Sequence, residues 1–247
     1  MPGRRSWARL FLRARRITPK EAAHRGGWLV LAPHPDDETL GAGGLIAALA
    51  ASGCKVRTVF LTDGAGSHVA APGWTAKRIA ALRAREASAA MRTLGTPGRA
   101  MSLGWRDGFP PAKETPQFEA AARRLVALCR AEGIRQVLTT WAQEPHCDHA
   151  AAARLICEVA RRLRIVPKYY LVWGWTLPDP DRRLGRMRVT AVPVWQHRGM
   201  QRRALERHRS QLGGRIAGAS ERFVLSRPMR RLVDLTHGLL MENRRAA

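Results

Sequence analysis

Trp28-Leu29-Val30-Leu31-Ala32-Pro33-His34-Pro35-Asp36-Asp37-Glu38-Thr39-Leu40-Gly41 runs from a wholly apolar segment into a cluster of one imidazole and three carboxylates. The apolar half reads as a short buried strand, and the glycine-containing apolar stretch that follows reads as a helix. In an open α/β sheet the carboxyl end of a strand is where ligands bind. Three acids and a histidine gathered there are costly without a cation to bind.

Outward from this unit the same alternation continues. Strand-like runs fall at residues 28–32, 55–62, 99–103, 136–141, 169–173 and 187–194, and helical stretches near 38–52, 75–94, 116–132 and 148–164. That order predicts an α/β fold with a mostly parallel sheet and crossover helices. The chain of 247 residues suits one domain, expected over 27–247 and preceded by a basic extension over 1–26. Gly- and Pro-rich segments at 104–116 and 174–185 read as loops, with Trp105, Phe109, Trp173 and Trp175 as candidate apolar faces for a ring. From Arg227 to Ala247 the leucine spacing reads as an amphipathic helix with a basic tail. Gly41-x-Gly43-Gly44 lacks the spacing of a dinucleotide fingerprint, and neither a phosphate-binding Gly-Lys-Ser/Thr loop nor a Gly-x-Ser-x-Gly elbow occurs.

A second polar cluster, Glu144-Pro145-His146-Cys147-Asp148-His149, follows the apolar run Gln136–Trp141. Imidazole nitrogen with carboxylate oxygen suits Zn²⁺, and hydrolytic sites commonly use three protein ligands plus an open position. His34, Asp37 and one histidine of the second cluster complete such a set. His146 and His149 stand three apart, so both reach the same side of a helical turn and spacing does not choose between them.

Together, His34-Pro35-Asp36-Asp37-Glu38 and His146-Cys147-Asp148-His149 resemble the signature of the PIG-L/LmbE-like deacetylases, zinc enzymes that remove acetyl groups from N-acetylglucosamine-type sugars. Leu61-Thr62-Asp63-Gly64, Arg83-Ala84-Arg85-Glu86 with Leu94-Gly95, and His208-Arg209-Ser210-Gln211 extend the resemblance over roughly residues 27–213. It implies a Rossmann-like, LmbE-like sheet sandwiched by helices. It also implies one Zn²⁺ per chain, or another divalent metal on the same donors, held by His34, Asp37 and His149. In this reading Asp36 is the base toward the attacking water, and His146, oriented by Asp148, donates to the oxyanion. Glu38 supports the ligands, and Arg83, Asp63, His68 and His208 are expected to contact substrate. The expected substrate is a small or lipid-linked N-acylated amino sugar.

The net charge of +24 raises a rival, since all but five of the 43 basic residues are arginine. A nucleic-acid-binding or membrane-surface protein that keeps the fold without the activity is the alternative. The arginines are spread from Arg4 to Arg245 with no recognisable nucleic-acid motif, so no specific nucleic-acid partner is expected. The segment Arg4–Arg16 places Trp7, Leu10, Phe11 and Ala14 at helical spacing among basic residues, which suits peripheral contact with an anionic membrane. Cys54, Cys129, Cys147 and Cys157 form no Cys-x-x-Cys pair. With no run apolar enough for a signal peptide or a membrane span, a cytoplasmic location is expected. The oligomeric state is not legible.

Overall fold

The computed structural model describes residues 10–96, 98–177, 184 and 187–243. In chain order its strands are β1 (Arg15–Arg16), β2 (Gly27–Ala32), β3 (Val56–Thr62), β4 (His68–Val69), β5 (Met101–Trp105), β6 (Ile134–Thr140), β7 (Pro167–Tyr170), β8 (Met187–Pro193), β9 (Glu221–Arg222) and β10 (His237–Asn243). The helices are α1 (Pro19–Ala23), α2 (Asp37–Ala51), α3 (Ala76–Thr93), α4 (Pro116–Ala131), α5 (Cys147–Leu163), α6 (Arg198–Leu205) and α7 (Arg227–Arg230). Eight strands form one sheet in the order β1-β8-β10-β7-β6-β2-β3-β5. Within this sheet every pairing is parallel except those of β10, which runs antiparallel to both β7 and β8, while β4 and β9 form a separate antiparallel pair.

The sequence explains the layering. β2 and β6 read as near-continuous apolar runs because both faces of a central parallel strand are covered. On one face Trp28, Val30 and Leu138 pack with α2 and the C-terminal segment. On the other, Leu29, Leu31 and Val137 pack with Phe118 and Leu125 of α4 and with Leu155 and Ile156 of α5. This is the mostly parallel, helix-sandwiched α/β fold that the alternation predicts. From β2 the chain steps to β3 and β5 on one side, while β6 and β7 lie on the other. The order therefore reverses between β2 and β6, and the crevice at their carboxyl ends is the place such a sheet offers a ligand.

Two expectations are corrected. The C-terminal stretch is not one amphipathic helix: α7 is short, and His237–Asn243 is a strand wedged between β7 and β8. Strand pairing on both sides outweighs the leucine spacing, and the tail 244–247 lies outside the described residues. The described part of segment 1–26 is not set apart from the domain either. Arg15 and Arg16 pair with Thr190 and Ala191, and Leu10, Ile17 and Ala22 are buried. Trp7 lies outside the described residues, as do positions 178–183, 185 and 186 around the expected 174–185 loop. No helix among the described residues is long and apolar enough to cross a membrane.

Candidate metal and catalytic site

The loop leaving β2 is fixed from the neighbouring strand, where the Thr62 N–H and Oγ1 both donate to the Pro33 carbonyl at 3.1 Å. It delivers Asp36 at φ 156° and ψ −26°, a conformation unfavourable for an L residue and typical of sites that over-determine their backbone. Asp36 stands at the N-cap of α2 without making a capping bond. Capping therefore does not account for the acid cluster.

Glu38 is fully buried beneath the loop. Its Oε2 accepts the Asp36 N–H at 3.0 Å, and its Oε1 accepts from Thr39 Oγ1 at 2.6 Å and lies 3.3 Å from His208 Nε2. Arg83, 3% exposed, donates to the carbonyls of Gly64 and Pro35 at 2.9 Å and lies 3.3 Å from Asp36 Oδ2.

Asp37 Oδ2 is the hub. It lies 3.1 Å from His34 Nδ1 and 3.3 Å from His149 Nε2. His149 enters on the first turn of α5, and its other nitrogen meets Glu144 Oε2 at 2.6 Å. Glu144 Oε1 is itself held by the N–H groups of Val172 and Gly174 at 2.6 and 2.9 Å. His34 Nε2 lies 3.0 Å from Asp148 Oδ2 and 3.2 Å from Asp107 Oδ1. The three imidazoles crowd together, with His34 and His146 centroids 4.7 Å apart.

Electrostatics follow from this packing. Burial opposes a charge on His34, yet hydrogen bonds with Asp107, Asp148 and Asp37 raise its pKa well above the ordinary imidazole value. Burial likewise opposes a charge on His149, but Asp37 and Glu144 raise it to about 9. Asp37 is held far below the carboxylate range, against burial, by His149 and His34. Asp107 falls to about 2, against burial, through its bond with His34. Asp36 moves the other way. Burial pushes it up to about 6 against the pull of Arg83.

Among the described residues, two groupings have ligand atoms mutually within 4.8 Å: His34, Asp37 and His149, and His34, His146 and Asp148. The first offers two imidazole nitrogens and one carboxylate oxygen, a donor set that fits a divalent cation such as zinc with a position left open. Its histidine from α5 is 1% exposed and backed by a carboxylate, the usual support of a ligating imidazole. His146 has no such backing, and its side chain is 36% exposed.

A cavity of about 320 Å³ opens onto this cluster, lined by His34, Asp36, Asp37, Arg83, Asp107 and His146 among others. Some expected contacts fall elsewhere. The Asp63 carboxylate accepts the Ala65 N–H at 3.0 Å in a turn, and His68 is buried against Ser67 Oγ at 3.1 Å. His208 is wholly buried on Glu38. None of the three lines the cavity: the turns after β3 use Asp63 and His68 internally, and Glu38 holds His208 in the core. Arg83 does line it, but its guanidinium is spent on the loop and Asp36. Asp148 holds His34 with its carboxylate. It meets His146 Nδ1 through its backbone N–H at 3.2 Å, the carboxylate standing 3.9 Å away. Of the four aromatics, Trp173 reaches the cavity, Trp105 is in the core against Phe118, Phe109 is exposed, and Trp175 stacks on Phe11. Cys147, whose thiol is raised by burial and Asp148, is not an activated nucleophile.

The sequence reading missed two residues. Asp107 sits in Arg106-Asp107-Gly108, which reads as a turn, and Glu144 opens the second cluster without a role of its own. A carboxylate preceding His-x-x-His was the available signal for Glu144.

Residues 29–160 match the PIG-L family, described as GlcNAc-PI de-N-acetylase. A 1D-myo-inositol 2-acetamido-2-deoxy-alpha-D-glucopyranoside deacetylase of Nocardia farcinica is 31% identical over 189 residues, covering 63% of this chain and 59% of that protein. The chain thus spans less than two-thirds of that relative's length. Among solved structures, the A40926 pseudoaglycone deacetylase superposes with a TM-score of 0.64 at 20% identity, covering 90% of this chain and 99% of that one. The 4-carboxy-2-hydroxymuconate hydratase of Pseudomonas putida gives 0.59 at 18% identity, covering 90% and 98%. At such identities the likeness is one of fold, and the fold houses a hydratase as well as a deacetylase.

Proposed function

The chain belongs to the PIG-L family, and from that premise we propose that it is a metal-dependent hydrolase that removes an acetyl or other acyl group from the amide nitrogen of an amino sugar. The observation that carries this reading is the meeting of His34, Asp37 and His149, the first two of which line a cavity together with Asp36 and His146. His34, Asp37 and His149 would hold one divalent cation, zinc by the donor set. Such an ion supplies Lewis acidity toward a carbonyl and lowers the pKa of water from about 15.7 toward about 7.

The remaining roles belong to the protein's own side chains. Asp36, poised near 6 by burial, accepts a proton from the attacking water and returns it to the departing amine. Arg83 and Glu38 keep that carboxylate in place, one at its oxygen and one at its backbone N–H. His146 Nδ1 accepts the Asp148 N–H, so the neutral ring carries its proton on Nε2, where it can donate to an oxyanion. Burial, with His34 and His149 nearby, lowers the His146 pKa and favours that neutral form. One donor of this kind is typically worth about 10²- to 10³-fold in rate. The substrate is a small or lipid-linked N-acylated amino sugar.

The test is release of free amine from a panel of N-acetylated amino sugars by protein loaded with Zn²⁺. Asp36→Asn is expected to lose about 10²- to 10⁴-fold in kcat with its metal content unchanged. No amine release from any panel member by the metal-loaded protein overturns the reading.

A further inference from the structure

His208 and Ser210 take no part in lining the cavity, yet both are wholly buried and each is bonded to a buried carboxylate. His208 stands just before the short 3₁₀ turn Arg209–Leu212, which follows α6. Its Nε2 lies 3.2 Å from Thr39 Oγ1 and 3.3 Å from Glu38 Oε1. The Thr39 hydroxyl already donates to Glu38 and a carboxylate only accepts, so Nε2 carries a proton and donates to this pair. Among the described residues the other bonds of Glu38 go to Asp36 and Thr39, its neighbours on the same loop and helix turn. His208 is what ties Glu38 to a different part of the fold.

Ser210 supplies a second tie two residues further on. Its N–H donates to Glu86 Oε1 at 3.0 Å and its hydroxyl to Glu86 Oε2 at 2.6 Å. Glu86 stands three residues after Arg83 on α3, so the two share a helix face. Arg83 in turn reaches the Pro35 carbonyl at 2.9 Å and Asp36 Oδ2 at 3.3 Å. Asp36 is therefore gripped at its N–H through Glu38 and at its carboxylate through Arg83, and one segment, 208–210, backs both grips. A residue at φ 156° does not keep that backbone by its own preference; it persists where the surroundings over-determine it. We propose that His208 is a positioning residue for Asp36: acting with Ser210 from behind the cavity, it holds through Glu38 the backbone that presents the Asp36 carboxylate. This rests on the hydrolase reading for the step Asp36 performs, but the clamp is a separate claim about the loop.

Two polar substitutions separate the clamp from mere packing. The amide nitrogen of His208→Gln can take the position of Nε2, whereas that of His208→Asn is too short to reach Glu38. His208→Asn is expected to lower kcat about 10²-fold, the cost of a misplacement of about 1 Å, with KM and bound Zn²⁺ unchanged. His208→Gln is expected to recover most of that loss. In an Asp36→Asn background His208→Asn is expected to cost nothing further in kcat, because its effect runs through that carboxylate. Unchanged kcat in His208→Asn, equal losses in both variants, or a further loss in the Asp36→Asn background each overturns the proposal. Should His208→Asn fail to fold by circular dichroism, Ser210→Ala opens the second grip and is expected to lower kcat about tenfold with KM unchanged; no loss overturns the proposal. If the wild-type protein turns over no substrate, exchange of the Asp36 amide hydrogen is read instead by nuclear magnetic resonance. Exchange about tenfold faster in His208→Asn than in His208→Gln then sinks the hydrolase and keeps the clamp, and equal exchange sinks both.

Discussion

Glu144 links three parts of the site with two oxygens, one on His149 Nδ1 and the other on the N–H groups of Val172 and Gly174. It fixes the rotation of His149 and ties α5 to the loop after β7. Replacing it with Gln removes the charge and turns one end of the group into a donor. Glu144→Gln is expected to weaken metal binding by about 10- to 100-fold, measured by competition with a chromophoric chelator, and unchanged affinity would refute the role. His149→Ala is expected to purify with little metal while His146→Ala retains it; the reverse result moves the ligand to His146. At this scale the site was legible where chemistry is compressed into a few consecutive residues, as in His34–Glu38 and His146–His149. Asp107 was not, because a lone acid before glycine carries no mark of the histidine it meets across the crevice. His208 misled for the opposite reason: a motif residue that looked like a substrate contact is spent on Glu38 inside the core.

α2 is apolar nearly all round because it is buried nearly all round, with Gly41, Gly43 and Gly44 at its closest approaches. A Cβ on Gly41 would overlap the Tyr170 ring and stand 2.8 Å from the Leu171 carbonyl. Gly41→Ala is therefore expected to destabilise the fold by about 1–3 kcal/mol despite the better helix propensity of alanine. At about 2–4 °C per kcal/mol for a chain of this size, calorimetry resolves it. A rise in Tm would show that α2 can shift, and with it Asp36 and Asp37. The strands β2, β3, β5, β6, β7 and β8 and the helices α2 to α5 were readable from apolar runs and helical spacing. β10 was not, since His237-Gly238-Leu239-Leu240 carries no strand signal of its own and owes its form to partners on both sides.

Among the described residues the candidate metal-binding group and the two large hydrophobic clusters are separate bodies of side chains. Chelation is expected to abolish turnover while leaving the circular dichroism spectrum and the cooperative thermal transition in place; unfolding on chelation would instead mark a structural metal. The arginine excess is partly absorbed in ion pairs such as Arg57 with Glu132 at 2.7 Å, Arg162 with Glu119 at 2.6 Å and Arg202 with Asp234 at 2.6 Å.

The antiparallel strand sets an order of events during synthesis. β10 emerges from the ribosome after every other described strand, yet it fills a central slot between β7 and β8, and β1 reaches the sheet only through β8. The half carrying β2, β3, β5, β6 and β7 can assemble while translation continues, with the open edge of β7 exposed until residues 237–243 arrive. A nascent chain halted before that point would present an unpaired apolar edge, the kind of surface that chaperones hold and that aggregation exploits.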